Sequence, residues 1–303
     1  NSCTEEPGWV LDSSNDHDSD GCLDAQAMIL EDIHEEGDVV VQHALTDDQG
    51  RVYVAGYFEH NLTLGETTIE TPAGEKAVFM ARMASDGTWD WLLGLNGTEV
   101  VTDIDVDSSG NAYIVGDYNN SGCTDDQPAL EWGDSEVLCY TSYYSIGGYL
   151  AKAEVNGTND WIRGLLEDSK PFRIDAISIA EQTDGSFSNI VIAGSITSTN
   201  GGWDYIIDIN DNHVCYSDGF VIEGYIMNLD SDGKCIGSNL GMGLMWMDEN
   251  QGSQYLEITD LYVHSDNTQY VTGSFNGQLG FVTYPGGGVA STGEWEGSGN
   301  QDE

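Results

Sequence analysis

The chain has 303 residues, and 53 acidic against 8 basic side chains give it a formal net charge of −45. A surface this acidic repels nucleic acid and anionic membranes, which removes both as direct partners. It suits a marine or other saline setting, where salt screens the self-repulsion, or one rich in divalent cations that bind carboxylates; an ordinary acidic secreted protein kept soluble by its charge is the other reading. No apolar run reaches the length of a membrane span and no signal peptide is present. With Asn1 rather than Met at the start, the expectation is a mature chain whose leader has been removed.

Residues 1–37 differ in composition from the rest. Asp16-His-Asp18-Ser-Asp20-Gly21-Cys22-Leu-Asp24 sets Asp16, Asp18, Asp20 and Asp24 at positions 1, 3, 5 and 9 of an EF-hand-like loop, with glycine at position 6 and Cys22 inside the loop. Oxygens at alternate positions curl around one hard cation, and calcium is the cofactor this pattern suggests. Ala27 holds position 12 in place of a bidentate Glu, so a solvated acidic turn tied down by Cys3–Cys22 is the other reading. The stretch resembles the Asp-rich calcium repeats of thrombospondin type 3. A short helix-like run, Ala25 to Glu36, follows it.

From residue 38 a repeat takes over. Unit one opens with Val39–Leu45, turns at Asp47-Asp-Gln-Gly50 and runs out along Val52–Phe58, ending its motif on Gly56. A weaker hairpin spans Leu62 to Thr71. The unit closes on Phe79-Met-Ala-Arg-Met83, a turn at Ser85-Asp-Gly87, and Trp89-Asp-Trp91-Leu-Leu-Gly94-Leu95. The opening motif returns as Asn111-Ala-Tyr-Ile-Val-Gly116, Asn189-Ile-Val-Ile-Ala-Gly194 and Gln269-Tyr-Val-Thr-Gly273. The closing motif returns as Tyr149-Leu-Ala-Lys-Ala153 with Trp161, and as Tyr225-Ile-Met-Asn-Leu229 without its tryptophan. Asp, Asn and Gly supply the hairpin turns, and alternating β-branched residues supply the strands.

A unit of roughly 50 to 60 residues with four or five short strands is the period of a propeller blade. The predicted fold is therefore all-β, a β-propeller-like array of four blades at about 38–97, 98–168, 169–243 and 244–292, with a polar tail at 293–303. The D-x-x-G-N-x-Y-[IV]-x-G motif alternating with G-x-x-x-W-x-x-x-x-G resembles the bacterial and archaeal β-propeller repeats called SBBP repeats. The fourth copy never reaches its Phe/Tyr strand or its Gly/Trp strand, so an incomplete last blade is expected. An open edge recruits strands; residues 1–37, further chain, or a neighbouring subunit are the three candidate suppliers.

The six cysteines fall into sequential pairs, Cys3–Cys22, Cys123–Cys139 and Cys215–Cys235, one of 15 connectivities. This pairing is favoured because each bond would staple a long irregular insertion, two of them at 119–147 and 199–219. Disulfides imply export to an extracellular or cell-surface location. The sequons at Asn61, Asn96, Asn119 and Asn156 agree with that.

Six scattered histidines form no HExxH, and there is no nucleophile elbow, P-loop or Rossmann fingerprint. The leading expectation is thus a non-catalytic structural or adhesive protein of a cell surface or extracellular assembly, a filament among the options, joined by self-association or to other surface proteins and glycans. A carbohydrate- or protein-binding propeller is the second reading, with Trp203, Tyr143 and Tyr144 as contact residues on the insertions; a secreted hydrolase using Asp/Glu is the third. Trp91 and Trp161 hold matching repeat positions, which favours packing between blades.

Overall fold

The computed structural model describes residues 34–36, 38–72, 74–120, 124, 128–139, 146–167, 171–181, 187–196, 204–211, 213–218, 224–235, 242–246, 256–265, 268–275, 278–283 and 291–296. The described residues form antiparallel β-strands and no helix. The first strand, β1 (His34–Glu36), stands where the sequence suggested the end of a helix-like run. It pairs with the hairpin of unit one, and those bonds outweigh its weak local helical pattern.

Unit one comprises β2 (Val39–Thr46), β3 (Val52–Glu59), the short hairpin β4 (Asn61–Leu64) and β5 (Thr67–Glu70), then β6 (Lys76–Met83) and β7 (Trp89–Leu95). Unit two repeats this with β8 (Asp103–Val106), β9 (Ala112–Asn119), hairpin β10 (Pro128–Trp132) and β11 (Ser135–Leu138), β12 (Ile146–Ala153) and β13 (Asn159–Glu167). Unit three has β14 (Ala176–Glu181), β15 (Phe187–Ser195), hairpin β16 (Asp204–Asp208) and β17 (His213–Asp218), β18 (Gly224–Leu229) and β19 (Met242–Trp246). Unit four has β20 (Leu256–Val263), β21 (Gln269–Phe275) and the hairpin β22 (Gln278–Thr283) and β23 (Ser291–Glu296). The insertions expected to be irregular thus carry regular hairpins, and β23 runs into the stretch expected to be a polar tail.

The turns explain themselves locally. Asp47 and Asp107 each accept two backbone amides with Oδ1, from Gln49 and Arg51 and from Ser109 and Asn111, at 2.9–3.0 Å. Their Oδ2 atoms accept the Tyr53 and Tyr113 hydroxyls, both at 3.1 Å. Gly50 and Gly110 close these loops at φ of 73° and 86°, a left-handed position that strongly favours glycine.

Each full unit pairs its strands in the order first, second, third, fourth. The hairpin inserted after the second strand leaves its own sheet and adds to the fourth strand of the preceding unit. Thus β16 pairs with β13 through Leu165↔Asp208, and β22 pairs with β19 through Leu244↔Phe281. Between units one and two the same relation survives as a single bridge, Asn96↔Glu131. The strand β1 pairs with β4 in the manner of a preceding fourth strand.

The units also pack face to face, because successive strand residues point to opposite sides. Ala112 and Ile114 of β9 face unit one, while Tyr113 and Val115 face unit three. Both faces are buried, which is why this strand reads as a near-continuous apolar run. Trp91 lies in the cluster between units one and two, and Trp161 packs against the one between two and three. The tryptophans meet the motif tyrosines edge-on, Tyr53–Trp91 at 6.2 Å and Tyr113–Trp161 at 6.3 Å. The described strands do not close into a ring.

The glycine that ends each opening motif is fixed by its neighbour's backbone. A Cβ at Gly56, Gly116, Gly194 or Gly273 would overlap the carbonyl oxygen of Val40, Val100, Arg173 or Glu257. The third strand then lays an aromatic directly opposite: Phe79 on Gly56, Tyr149 on Gly116, Tyr225 on Gly194. The Tyr149 and Tyr225 hydroxyls donate to the same carbonyls, Val100 O at 2.8 Å and Arg173 O at 2.7 Å.

Candidate functional site

Among the described residues, the far side of unit four carries no further sheet. Among the described residues β20 and β21 pair only with each other, whereas β3, β9 and β15 each carry a third strand on their other edge. The consequence is visible in burial. Tyr270 stands three residues before Gly273, as Tyr53 and Tyr113 stand before Gly56 and Gly116; they are 0% and 2% exposed, and Tyr270 is 57% exposed. Tyr262 on β20 is equally open, and its ring lies 6.2 Å from that of Tyr270 and 6.5 Å from that of His264. Thr259 and Thr272 share a hydrogen bond of 3.1 Å between their hydroxyls. The opposite side of the same strands is ordinary core: Ile258, Leu261 and Val263 pack against Ala176, Val191, Ala193 and Ile226 of unit three.

First strands of neighbouring units are also tied by side chains. Asp103 and Asp105 of β8 accept the Ile177 and Ile179 amides of β14 at 2.9 and 2.7 Å, and Ser178 accepts the Val263 amide of β20 at 3.0 Å. Burial pushes the Asp103 carboxyl above its ordinary range, partly offset by the Ile177 and Ile104 amides and by His43 nearby. By strand register Asp260, opposite Thr272, holds in unit four the place that Asp103, opposite Val115, holds in unit two. Asp260 accepts its own neighbour's amide, Leu261 N, at 2.8 Å, as Asp103 accepts Ile104 N, and is exposed.

A second feature is an open groove of about 690 Å³ lined by Glu59, Lys76, Glu99, Asp117, Tyr118 and Arg173, among others. Two of the chain's few basic groups sit here, and both are held by carboxylates: Lys76–Glu99 at 2.9 Å and Arg173–Asp117 at 2.7 Å. Asp117 is nearly buried, and desolvation raises its pKa to about 6 despite the Arg173 guanidinium.

The residues singled out from sequence distribute unevenly. Asp16, Asp18, Asp20, Cys22 and Asp24, the calcium-type set, lie outside the described residues, as do Cys3, Cys123, Trp203, Tyr143 and Tyr144. Cys215 on β17 is bonded to Cys235 in the turn after β18, with Cα atoms 5.4 Å apart, so the disulfide ties the hairpin to its own unit. Cys139 is also disulfide-bonded. Asn119 and Asn156 are exposed, while Asn61 and Asn96 are half-buried. The exposed tyrosine pair escaped sequence reasoning because Tyr270 reads as a strand-core residue.

Among the described residues no helix is long and apolar enough to cross a membrane. No protein-family model matches the chain, and no curated protein matches it.

Proposed function

We propose that this chain is an exported, non-catalytic repeat protein of the β-propeller type, similar to the SBBP repeats, that works as a structural or adhesive module and associates with further copies through the far side of unit four. The observation that carries this reading is the contrast between Tyr270 at 57% exposure and its repeat counterparts at 0% and 2%. In units one to three that position is a unit–unit interface; in unit four it faces outward beside an edge that carries no third strand among the described residues. Covering the exposed part of each aromatic, on the order of 100 Å², is worth about 2–3 kcal/mol. Two such rings and an open edge are a fair basis for a specific contact.

The Cys215–Cys235 bond supports an extracellular setting. The acidic surface supports a saline one, since two molecules of net charge −45 approach only where salt or divalent cations screen them. Calcium at Asp16, Asp18, Asp20 and Asp24 would serve that purpose, and rests on the sequence pattern alone. Light scattering in molar sodium chloride, with and without calcium, tests the reading. Salt- or calcium-dependent assembly that Tyr270→Asp abolishes is expected, and a protein that stays monomeric throughout would refute it.

A further inference from the structure

The repeat supplies a template for what the open edge of β21 accepts, and this deepens the association reading on which it rests. In units one to three the third strand pairs with the second in one fixed register. An aromatic stands opposite the motif glycine: Phe79 on Gly56, Tyr149 on Gly116, Tyr225 on Gly194. Three residues later the third strand meets the residue three before that glycine, and the pairing there follows a rule. Opposite Tyr53 it places Arg82, opposite Tyr113 it places Lys152, and opposite Val191 it places Asn228. A basic group is therefore used where the second strand offers a tyrosine. The Arg82 guanidinium lies 5.9 Å from the Tyr53 ring centre and 5.6 Å from that of Trp91, a cation–π arrangement.

Unit four offers the same two landmarks, Tyr270 and Gly273, in the same spacing. Around Gly273 the nearest atoms to a built Cβ are backbone atoms of Glu257 and Ile258, as around Gly56 they are backbone atoms of Val40 and Val41; around Gly116 and Gly194 the Tyr149 and Tyr225 side chains come next. We infer that β21 binds an antiparallel strand of a partner polypeptide with the pattern aromatic-x-x-basic, its aromatic ring lying over Gly273 and its basic group over Tyr270. Edge addition of this kind draws affinity from main-chain hydrogen bonds and specificity from alternate side chains. Two further observations select this occupant. The hydroxyl of a tyrosine so placed reaches the Glu257 carbonyl, as Tyr149 reaches Val100 and Tyr225 reaches Arg173. A basic strand is also complementary to a chain of net charge −45.

The test uses the full chain and a labelled peptide copied from Gly147–Ala153 (Gly-Gly-Tyr-Leu-Ala-Lys-Ala), followed by fluorescence anisotropy and by amide hydrogen exchange over 269–275. Saturable binding is expected, weakened at least about ten-fold by Tyr→Ala or Lys→Glu in the peptide and by Tyr270→Ala in the protein, with new exchange protection in β21. Tyr270 is exposed, so that variant tests the contact and not the fold. Equal binding of a scrambled peptide, or protection in the chain alone of the outward β21 amides that do not bond to β20, would overturn the inference. Salt-driven assembly that the peptide neither joins nor blocks would overturn it too, while leaving the association reading intact. Peptide binding to a chain that stays monomeric would sustain it and remove the association reading.

Discussion

Gly116→Ala is the sharpest test of the claim that motif glycines are dictated by a neighbouring backbone. Its new methyl group would overlap the Val100 carbonyl oxygen and the Tyr149 ring, so the segment leading into the first strand of unit two and its third strand must both move. Overpacking of this kind costs about 1–3 kcal/mol. Displacing Tyr149 also disturbs its 2.8 Å hydrogen bond to Val100 O, and a buried hydroxyl left without a partner costs about 1–3 kcal/mol more. Together about 3 kcal/mol or more is expected, read as a lower urea midpoint at unchanged slope. The control is Gly94→Ala, where a Cβ would sit at an ordinary 3.5 Å from Ile69 Cδ1. Replacing a strand glycine with room to spare is neutral or stabilising by about 0.5–1 kcal/mol. Gly273→Ala should fall between the two, since Glu257 O blocks it but no third-strand aromatic lies over it. A Gly116→Ala loss below about 1 kcal/mol, or one equal to that of Gly94→Ala, would refute the reasoning.

Asp117→Asn should alter the pH dependence of stability. The wild-type carboxyl titrates at about 6 in the fold against an ordinary 3.8, because burial disfavours its charged form. Its ionisation therefore costs nothing below about pH 4, erodes stability as pH rises toward 6, and leaves a deficit of about 3 kcal/mol at pH 7 and above. Urea midpoints of wild type and variant should converge in acid and separate in the variant's favour at neutral pH. Phe79→Tyr should place a hydroxyl near Val40 O in unit one, as Tyr149 does at Val100 O, and raise stability by about 1 kcal/mol; Tyr149→Phe should lose a similar amount, both measured by thermal unfolding. Opening Cys215–Cys235 with Cys235→Ser removes a crosslink spanning 20 residues and should cost about 3 kcal/mol, with faster proteolysis in 204–218 as the local readout.

Much of the architecture was legible because it is local. An Asp at the head of a turn that takes two amides, and a glycine that closes it, need only their own neighbours, so Asp47–Gly50 and Asp107–Gly110 announce their hairpins in the sequence. The repeat phase and the tryptophan positions follow from the same strings. The candidate site was half legible: the fourth copy of the motif placed Tyr270 and Gly273, but gave Tyr270 no mark that separates it from Tyr113. Exposure is a property of what stands next to a residue, and that is decided in space.

What the chain determined alone is the order of turns and strands, since turn chemistry and alternation act within a few residues. Only the tertiary structure decided where each strand goes. The hairpin β16–β17 could have stayed with its own sheet, yet it adds to β13 because the fourth strand there offers unpaired backbone groups. Gly56, Gly116, Gly194 and Gly273 could have been read as turn residues. They are glycines because a carbonyl oxygen from the first strand of the same unit, or from the residues leading into it, occupies the space a side chain would need.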